Sequence, residues 1–411
     1  MPDWLHRQAE LQPGGLALLV AGDPAPSHGE HPWTFAALDA AATALAERLR
    51  AAGISPGDRV AVLAGNEPGY VVLIHALIRA GAVLVPLNVR LTPAELAWQV
   101  ADSGAAWLIA GRGYGEAAAA VATAAGAAAA TAGPAATAEP MATVGPMATD
   151  EPATAQPARS PSPTGQPPRV LALADLAGDL LLPPPAASPQ GRAVPAAGEA
   201  GSSGSVGVPG PAPPTGTGRG IDLAAPHCII YTSGTTGRPK GAVLTYGNHF
   251  WSAVQSALNL GLHRDDRWLC CVPLFHVSGL SIVFRSAIYG IPMVLHRRFD
   301  PAAVNASIER HRVTVISVVA TMLQRMLDER GPRPYPEHLR CVLLGGGPAP
   351  RPLLEACAAR GIPVVQTYGM TETASQFATL APADALRKLG SAGKPLFFNE
   401  LRIVDDDGRP V

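Results

Sequence analysis

The 411-residue sequence contains few charged and few aromatic residues. Asp, Glu, Lys and Arg make up 15% of the chain, against roughly 25% in ordinary soluble proteins, and the formal net charge is −1. No basic patch with interleaved aromatic residues occurs, so the sequence does not indicate a nucleic-acid-binding protein. The length is nevertheless sufficient for two or three domains with a large core.

Long apolar runs and a cysteine framework are also missing. No run approaches the roughly 18 apolar residues of a membrane span, and residues 1–10 lack the apolar core of a signal peptide. Two of the five cysteines, Cys270 and Cys271, are adjacent in an apolar run, which indicates reduced core residues rather than disulfides or a metal site. We therefore expect no membrane span and a cytoplasmic location.

Helix and strand patterns alternate along most of the chain. Helices are predicted at Trp33–Gly53, Pro68–Arg79 and Thr92–Ser103, and strands at Arg59–Leu63, Val83–Pro86 and Ala106–Ala110. A similar alternation begins again at Ile221 and continues to Thr367. This order predicts an α/β fold with parallel sheets that are covered by helices on both faces.

Residues 111–220 interrupt the alternation. They hold 18 of the 42 prolines and a single aromatic residue, Tyr114. A composition rich in Ala, Gly, Pro, Ser and Thr buries too little apolar surface to offset the entropy of ordering, which predicts a mostly disordered insert that is dispensable for folding. A partner-binding segment is the alternative. One island, residues 169–182, is expected to form a strand and a short helix on the folded body.

The segment from Tyr231 to Gly241 carries the strongest motif. It follows an apolar run that predicts a buried strand, and it contains glycines, a lysine and four hydroxyl side chains: Thr232, Ser233, Gly234, Thr235, Thr236, Gly237 and Lys240. Glycines let backbone N–H groups surround an anion, hydroxyls add donors, and a lysine charge favours phosphate. We interpret the segment as a polyphosphate-binding loop, with a glycine-rich hairpin as the alternative. It is not a Walker A loop, because Gly241 follows Lys240.

Two further polar segments follow predicted strands. Gly345-Gly346-Gly347 comes after the strand Cys341–Leu344, and Tyr368-Gly369-Met370-Thr371-Glu372 comes after the strand Ile362–Thr367. Ligands bind at the carboxyl ends of strands in open α/β sheets, so we expect both segments at one sheet edge. Glu372 is a candidate Mg²⁺ ligand, because a hard cation prefers carboxylate and phosphate oxygens; a solvated loop glutamate is the alternative.

His276 and Arg285 stand out near the predicted helix that ends at Tyr289. His276 follows an apolar strand, and it is either a core histidine or a residue of a substrate pocket. Arg285 lies inside an apolar helix, where a charge needs a partner. That partner is either a structural carboxylate or an acidic substrate.

The segment at 231–241 resembles the phosphate-loop signature of the adenylate-forming superfamily, which includes acyl-CoA synthetases, luciferases and peptide-synthetase adenylation domains. The resemblance implies an N-terminal AMP-binding domain made of two doubly wound α/β subdomains. Here that domain would comprise residues 1–110 and 221–399, and residues 400–411 would begin a β-barrel subdomain.

The resemblance also implies roles for single residues. Tyr368 would stack on adenine, Thr371 would contact the α-phosphate, and Glu372 would hold Mg²⁺. The implied ATP-binding residues are Thr232, Ser233, Gly234, Thr235, Thr236, Gly237, Lys240, Gly345, Gly346, Gly347, Tyr368, Gly369 and Thr371. The implied acid-binding residues are His276, Arg285, Gly346 and Thr367, and the implied catalytic residues are Lys240, His276, Thr371 and Glu372. ATP, Mg²⁺ and coenzyme A are the implied cofactor and co-substrate set.

Other segments resemble one branch of the superfamily, the o-succinylbenzoate–CoA ligases of menaquinone synthesis. They are residues 247–250, 256–261, 266–268, 345–350 and 388–396. The acid used by that branch has two carboxylates, and Arg285 would pair with the one that is not activated. The alternatives are another aryl or fatty acyl-CoA ligase and a non-catalytic adenylate-binding module.

Family members continue beyond the equivalent of Val411 with the rest of the barrel and a small C-terminal domain that bears a catalytic lysine. These parts are absent from the sequence, so we expect slow adenylate formation and very little thioester formation by the 411 residues alone. The sequence leaves a homo-oligomer open.

Overall fold

The computed structural model describes residues 1–21, 32–131, 167–181, 220–233 and 237–411. The helices are α1 (Trp4–Leu11), α2 (Phe35–Ala51), α3 (Pro68–Ala80), α4 (Pro93–Ser103), α5 (Gly115–Thr131), α6 (Leu173–Ala177), α7 (Tyr246–Leu260), α8 (Val277–Tyr289), α9 (Pro301–Arg310), α10 (Ala320–Arg330) and α11 (Arg351–Ala359).

The strands are β1 (Leu16–Ala21), β2 (Pro32–Thr34), β3 (Arg59–Leu63), β4 (Val83–Pro86), β5 (Trp107–Ala110), β6 (Arg169–Ala172), β7 (Pro226–Thr232), β8 (Lys240–Thr245), β9 (Trp268–Cys270), β10 (Met293–His296), β11 (Val315–Val319), β12 (Cys341–Gly345), β13 (Val364–Met370), β14 (Ser375–Leu380) and β15 (Lys394–Pro395).

Two sheets form the body of the protein. One has the order β6-β5-β3-β4-β7-β8, and the other has the order β15-β14-β13-β12-β11-β9-β10-β1-β2. The central strands of both sheets are parallel, and the antiparallel pairs lie at the edges. Helices α2, α3 and α8 contribute Phe35, Tyr70 and Phe284 to a core shared with inward-facing residues of both sheets. The predicted pair of doubly wound α/β subdomains is therefore confirmed.

Local capping signals explain where several helices begin. The Thr34 hydroxyl accepts a hydrogen bond from the Ala37 amide at the start of α2. Thr92 and Glu95 form a reciprocal capping box at the start of α4. Such caps satisfy amide groups that have no partner inside the helix, which is why hydroxyl and carboxylate residues can be recognised as starts from sequence. The predicted bounds of β3 and β4 agree with the structure residue for residue.

The insert contains more structure than its composition predicted. Helix α5 packs on α4 and β5, and four of its side chains are buried: Ala118, Val121, Ala122 and Ala125. The prediction of disorder is wrong for this helix, because a run of small alanines packs closely without large apolar side chains. Within the expected island, β6 pairs with β5 in parallel and α6 follows. Residues 132–166 and 182–219, which the same prediction covered, lie outside the described residues.

Two elements before Trp33 were not predicted from the sequence. Helix α1 and strand β1 are formed there, and Leu18 of β1 pairs with Met293 of β10. At residues 400–411 a turn is closed by an isolated antiparallel bridge between Val404 and Pro410, and the described residues contain no closed barrel. None of the helices formed by the described residues is both long and apolar enough to cross a membrane.

Candidate active site

The two ends of the predicted phosphate loop meet the second polar segment. Strands β7 and β8 are antiparallel, with Thr232 opposite Lys240. The Thr232 hydroxyl lies 3.4 Å from the Lys240 carbonyl oxygen and 3.3 Å from Oε1 of Glu372. Ser233 and Lys240 are exposed. The loop is therefore a hairpin connection that opens beside a carboxylate, while the predicted contacts of residues 234–236 lie outside the described residues.

The glycine segment lies on the same edge as Thr367 and Tyr368. Gly345 pairs with Val319 of β11, and a Cβ on Gly345 would lie 3.1 Å from Cγ2 of Thr367. Gly346 has φ +82°, and its Cβ would lie 2.9 Å from Cγ1 of Val319, so this position requires glycine. The Tyr368 ring is 45% exposed and meets Phe377 edge-on. The expectation that both segments share one sheet edge is confirmed.

A strained turn carries the acidic residue. Residues 371–373 form one 3₁₀ turn, and Glu372 is exposed. The next two residues, Ala374 and Ser375, have φ values of +51° and +104° although neither is glycine. A Cβ on Gly369 would overlap the Ser375 carbonyl oxygen, so the returning strand approaches the backbone of Gly369 closely. Non-glycine residues in this region are strained, and such strain is concentrated at functional sites.

Arg285 is a buried cation with no carboxylate partner among the residues that the structure describes. It is 2% exposed, its guanidinium lies over the Trp268 ring at 5.3 Å, and Nη2 donates to the Ser252 hydroxyl at 3.5 Å. Burial lowers the pKa of Arg285, and the neighbouring Tyr289 hydroxyl opposes this effect. The alternative of a structural carboxylate partner is therefore not supported.

Several polar atoms without partners lie on α7, α8 and β14, which pack on one another beside Arg285. The buried atoms that lack a hydrogen-bond partner there are Arg285 Nε, Gln255 Oε1, Ser256 Oγ, and Oε1 and Nε2 of Gln376. The Ser281 hydroxyl lies 3.4 Å from the Ser375 hydroxyl and connects this region to the strained turn. Buried polar atoms are normally hydrogen-bonded, so a group of them without partners indicates a place for a polar ligand or for water. We call Arg285 and the residues that carry these atoms, Gln255, Ser256 and Gln376, the Arg285 pocket.

His276 occupies a different position from Arg285. It is the N-cap residue of α8, nine residues before Arg285, or about 13 Å along the helix axis. His276 is exposed at the start of α8, where partial desolvation and then the Arg90 charge lower its pKa. Within the described chain, no hydrogen bond joins the His276 ring to Lys240, Glu372 or Arg285.

A third polar group lies deeper in the core. His227, Cys228 and His249 place potential ligand atoms within 4.8 Å of one another, and all three residues are buried. The Cys228 thiol lies 3.3 Å from Nε2 of His249, and the His227 ring stacks on Tyr246 at 4.5 Å. Burial lowers the pKa of His249, and the nearby Arg285 charge lowers it further; the same charge opposes a bound cation. Aromatic packing and the thiol contact account for this cluster.

Comparison with known proteins assigns the family. The AMP-binding enzyme family matches residues 5–411. The chain belongs to that family. In this AMP-binding enzyme, the segment 231–241 and the turn at Glu372 come from different sheets and meet through the contact between Thr232 and Glu372.

Two similar proteins are named as ligases or synthetases that use o-succinylbenzoate and coenzyme A. The 2-succinylbenzoate–CoA ligase of Geobacillus kaustophilus is 45% identical over 413 residues, which cover 100% of this chain and 66% of the relative. The chain thus spans slightly less than two thirds of that ligase. The structure of o-succinylbenzoate CoA synthetase (MenE) from Bacillus subtilis with the acyl-adenylate OSB-AMP has a TM-score of 0.75 at 36% identity, covering 100% of this chain and 67% of that one. The same protein with ATP and magnesium has a TM-score of 0.75 at 35% identity, with coverages of 100% and 68%.

Two groups of buried polar residues in this AMP-binding enzyme were not singled out from the sequence. Asn66 is buried and joins the sheets, because its Nδ2 donates to the carbonyl oxygens of Val272 and His296 at 3.0 and 3.1 Å. No sequence signal marks it. Ser252 and Gln255 were also missed, although polar residues spaced by three on one face of α7 are a signal for a polar lining.

Proposed function

We propose that this chain carries the acid-activation site of an ATP-dependent, AMP-forming o-succinylbenzoate–CoA ligase of menaquinone synthesis. The observation that carries the proposal is the meeting of Thr232, Lys240 and Glu372, which brings both ends of the predicted phosphate loop to a carboxylate. The unpaired Arg285, behind the turn that bears Glu372, supports a substrate with a second carboxylate. The similarity to ligases that act on this acid supports the same choice.

The exposed groups around Thr232 and Glu372 suit a nucleotide. Lys240 and the hydroxyls at 232, 233, 235 and 236 would hold the phosphates, and Thr371 would contact the α-phosphate. The open face of Tyr368 is available to adenine, and the glycines at 345–347 let the nucleotide approach the backbone. Glu372 would hold Mg²⁺ together with phosphate oxygens, because one carboxylate beside a phosphate site fits a hard cation. When bound, that ion would neutralise phosphate charge.

The first step forms the acyl-adenylate. A carboxylate oxygen of the acid attacks the α-phosphorus, the bond to the β-phosphate oxygen breaks, and pyrophosphate leaves with the electron pair. Negative charge develops on the phosphates, so Lys240 and the loop amides stabilise the transition state by fixed electrostatics. In the second step the coenzyme A sulfur attacks the acyl carbon, loses its proton and releases AMP.

The acid would lie between His276 and the Arg285 pocket. His276 and Thr367 would line the route. Burial and then the Arg90 charge lower the pKa of His276, so the neutral ring could hydrogen-bond the acyl group without adding charge. Arg285 would pair with the ring carboxylate. A fatty acyl-CoA ligase would need an apolar pocket for its tail, whereas the lining here is polar and cationic.

The location and assembly of the protein remain part of this proposal. All five cysteines are buried and unpaired, which supports the cytoplasm as the compartment. A homo-oligomer stays a prediction without a supporting contact.

Exchange of labelled pyrophosphate into ATP tests the proposed function. We expect exchange that depends on o-succinylbenzoate and not on fatty acids, because only the dicarboxylate uses Arg285. Exchange driven by another aryl or fatty acid would favour the alternative ligases. Tight nucleotide binding without exchange would indicate a non-catalytic adenylate-binding module.

The Lys240→Ala variant tests the phosphate loop. The loss of a charged hydrogen bond costs about 1.5–3 kcal/mol, so ATP binding should weaken at least about tenfold by calorimetry. Lys388→Ala is the matched control, because Lys388 is also exposed but lies near Asp384, away from the loop. Unchanged ATP affinity in a folded Lys240→Ala protein would remove the phosphate-loop assignment.

A further inference from the structure

Ser252 is the only described residue that hydrogen-bonds both Arg285 and the turn that bears Glu372. It lies on α7 and is 3% exposed. Its hydroxyl donates to the Ala374 carbonyl oxygen at 2.7 Å and accepts from Nη2 of Arg285 at 3.5 Å. A hydroxyl has one proton, so the donor is committed to Ala374 and the lone pairs remain for Arg285. The two contacts form a directed chain from the guanidinium to the turn.

The far end of this chain is held at the phosphate loop. The amide of Ala374 donates to the Thr371 carbonyl oxygen at 2.9 Å, which closes the turn around Glu372. The Glu372 carboxylate in turn accepts from the Thr232 hydroxyl at 3.3 Å. Because Ala374 has φ +51°, the turn is strained, and it persists only where neighbouring groups hold it. Ser252 is one of those groups.

We propose that Ser252 is a positioning residue that couples the Arg285 pocket to the Glu372 turn, so that the acid and the Mg²⁺-nucleotide each bind more tightly when the other is present. The inference rests on the proposed function, which places the acid at Arg285 and the nucleotide at Glu372. A carboxylate bound to Arg285 fixes the guanidinium against the Ser252 oxygen. Donation from Arg285 then polarises the hydroxyl and strengthens its bond to Ala374, since hydrogen bonds in a chain reinforce one another.

Coupling of this kind is reciprocal and can be measured without turnover. The probe is Mg²⁺ with α,β-methylene-ATP, whose α,β bond cannot be broken, titrated by calorimetry with and without saturating o-succinylbenzoate. The coupling factor is the ratio of the two dissociation constants. We expect a factor of about five or more in the wild type. In Ser252→Ala it should fall to about one, while the affinity for nucleotide alone changes less than about threefold.

Asn259→Ala is the matched control. Asn259 lies on the same helix and donates to the Thr379 hydroxyl of β14 at 3.1 Å, but it contacts neither Arg285 nor the turn. This variant should keep the wild-type coupling factor. If Ser252→Ala does not fold, Ser252→Cys serves, because it preserves size with a weak donor and should lower the factor.

The outcomes separate this inference from the proposed function. Loss of coupling in the Ser252 variants but not in Asn259→Ala supports it. A wild-type factor of one, or a factor that Ser252→Ala leaves unchanged, overturns it while the proposed function stands. A wild-type protein that binds neither ligand overturns the proposed function and this inference together.

Discussion

Replacement of Arg285 by leucine separates substrate recognition from folding. Most buried arginines are held by a carboxylate, and their removal leaves that carboxylate unpaired in the core. Arg285 has instead the Trp268 ring, the Ser252 hydroxyl and an unpartnered Nε. The substitution therefore removes a desolvated charge without stranding an opposite one. We expect it to affect the second carboxylate of the acid and to spare the fold.

The magnitudes follow from these contacts. A lost charge-assisted hydrogen bond costs about 1.5–3 kcal/mol, which corresponds to a roughly 10- to 150-fold weaker binding of o-succinylbenzoate. For stability, the lost cation–π contact with Trp268 is worth about 0.5–2 kcal/mol. Relief of the desolvation penalty offsets it, since apolar replacement of buried charges is often neutral or stabilising by about 1–4 kcal/mol. The free energy of unfolding should therefore fall by no more than about 1 kcal/mol.

The assay compares two acids on two proteins. Binding of o-succinylbenzoate and of 3-benzoylpropionate, which lacks the ring carboxylate, is measured by calorimetry with wild type and Arg285→Leu. The dicarboxylate should lose affinity, and the monocarboxylate should bind both proteins within about threefold, because it never used Arg285. Equal losses for both acids would refute the reasoning and make Arg285 a structural residue. Urea unfolding of both proteins provides the control for stability.

Two further predictions concern stability. Arg340→Leu should destabilise the fold by about 3 kcal/mol in urea unfolding, because Asp266 is buried and accepts from Nε and Nη2 of Arg340 at 2.7 and 2.5 Å. Arg387→Leu, at an exposed pair, should leave the urea midpoint almost unchanged, and equal losses in the two variants would contradict this. Acid should also destabilise the protein, because burial depresses the pKa of four histidines: about 4 for His75, about 3 for His249, about 4 for His296, and well below the usual value for His227. Above pH 6.5 these histidines are neutral in both the folded and the unfolded protein, and they do not lower the free energy of unfolding. As the pH falls toward the folded pKa values, the unfolded chain takes up protons first, so the free energy of unfolding decreases. At about 1.4 kcal/mol per histidine per pH unit, the free energy of unfolding should drop by about 5 kcal/mol between pH 7.5 and 5.5, and equal urea midpoints at the two values would contradict it.

Local patterns were sufficient for many elements of this protein. Thr34 and Thr92 mark helix starts because a hydroxyl caps free amides, and that rule needs only neighbouring residues. The motif at 231–241 predicts a phosphate loop for the same reason, since its glycines, hydroxyls and lysine are contiguous. Amino-acid composition was a less reliable guide to order. The alanine-rich composition predicted disorder at α5, but alanine side chains are buried there because the burial of a side chain depends on the surface that it meets and not on its size alone.

Contacts between distant segments were decided only by the tertiary structure. Ser252 reaches Ala374 across 122 residues and Arg285 across 33, and neither pairing has a local signature. The same holds for β1, which lies beside β10 although they are more than 270 residues apart in sequence. Hydrophobic period and capping report the conformation of one segment, whereas the partner of a buried polar group depends on how segments cross in space. The sequence by itself thus determined the fold class, and the crossing of α7, α8 and β14 left Arg285 without a carboxylate partner among the described residues.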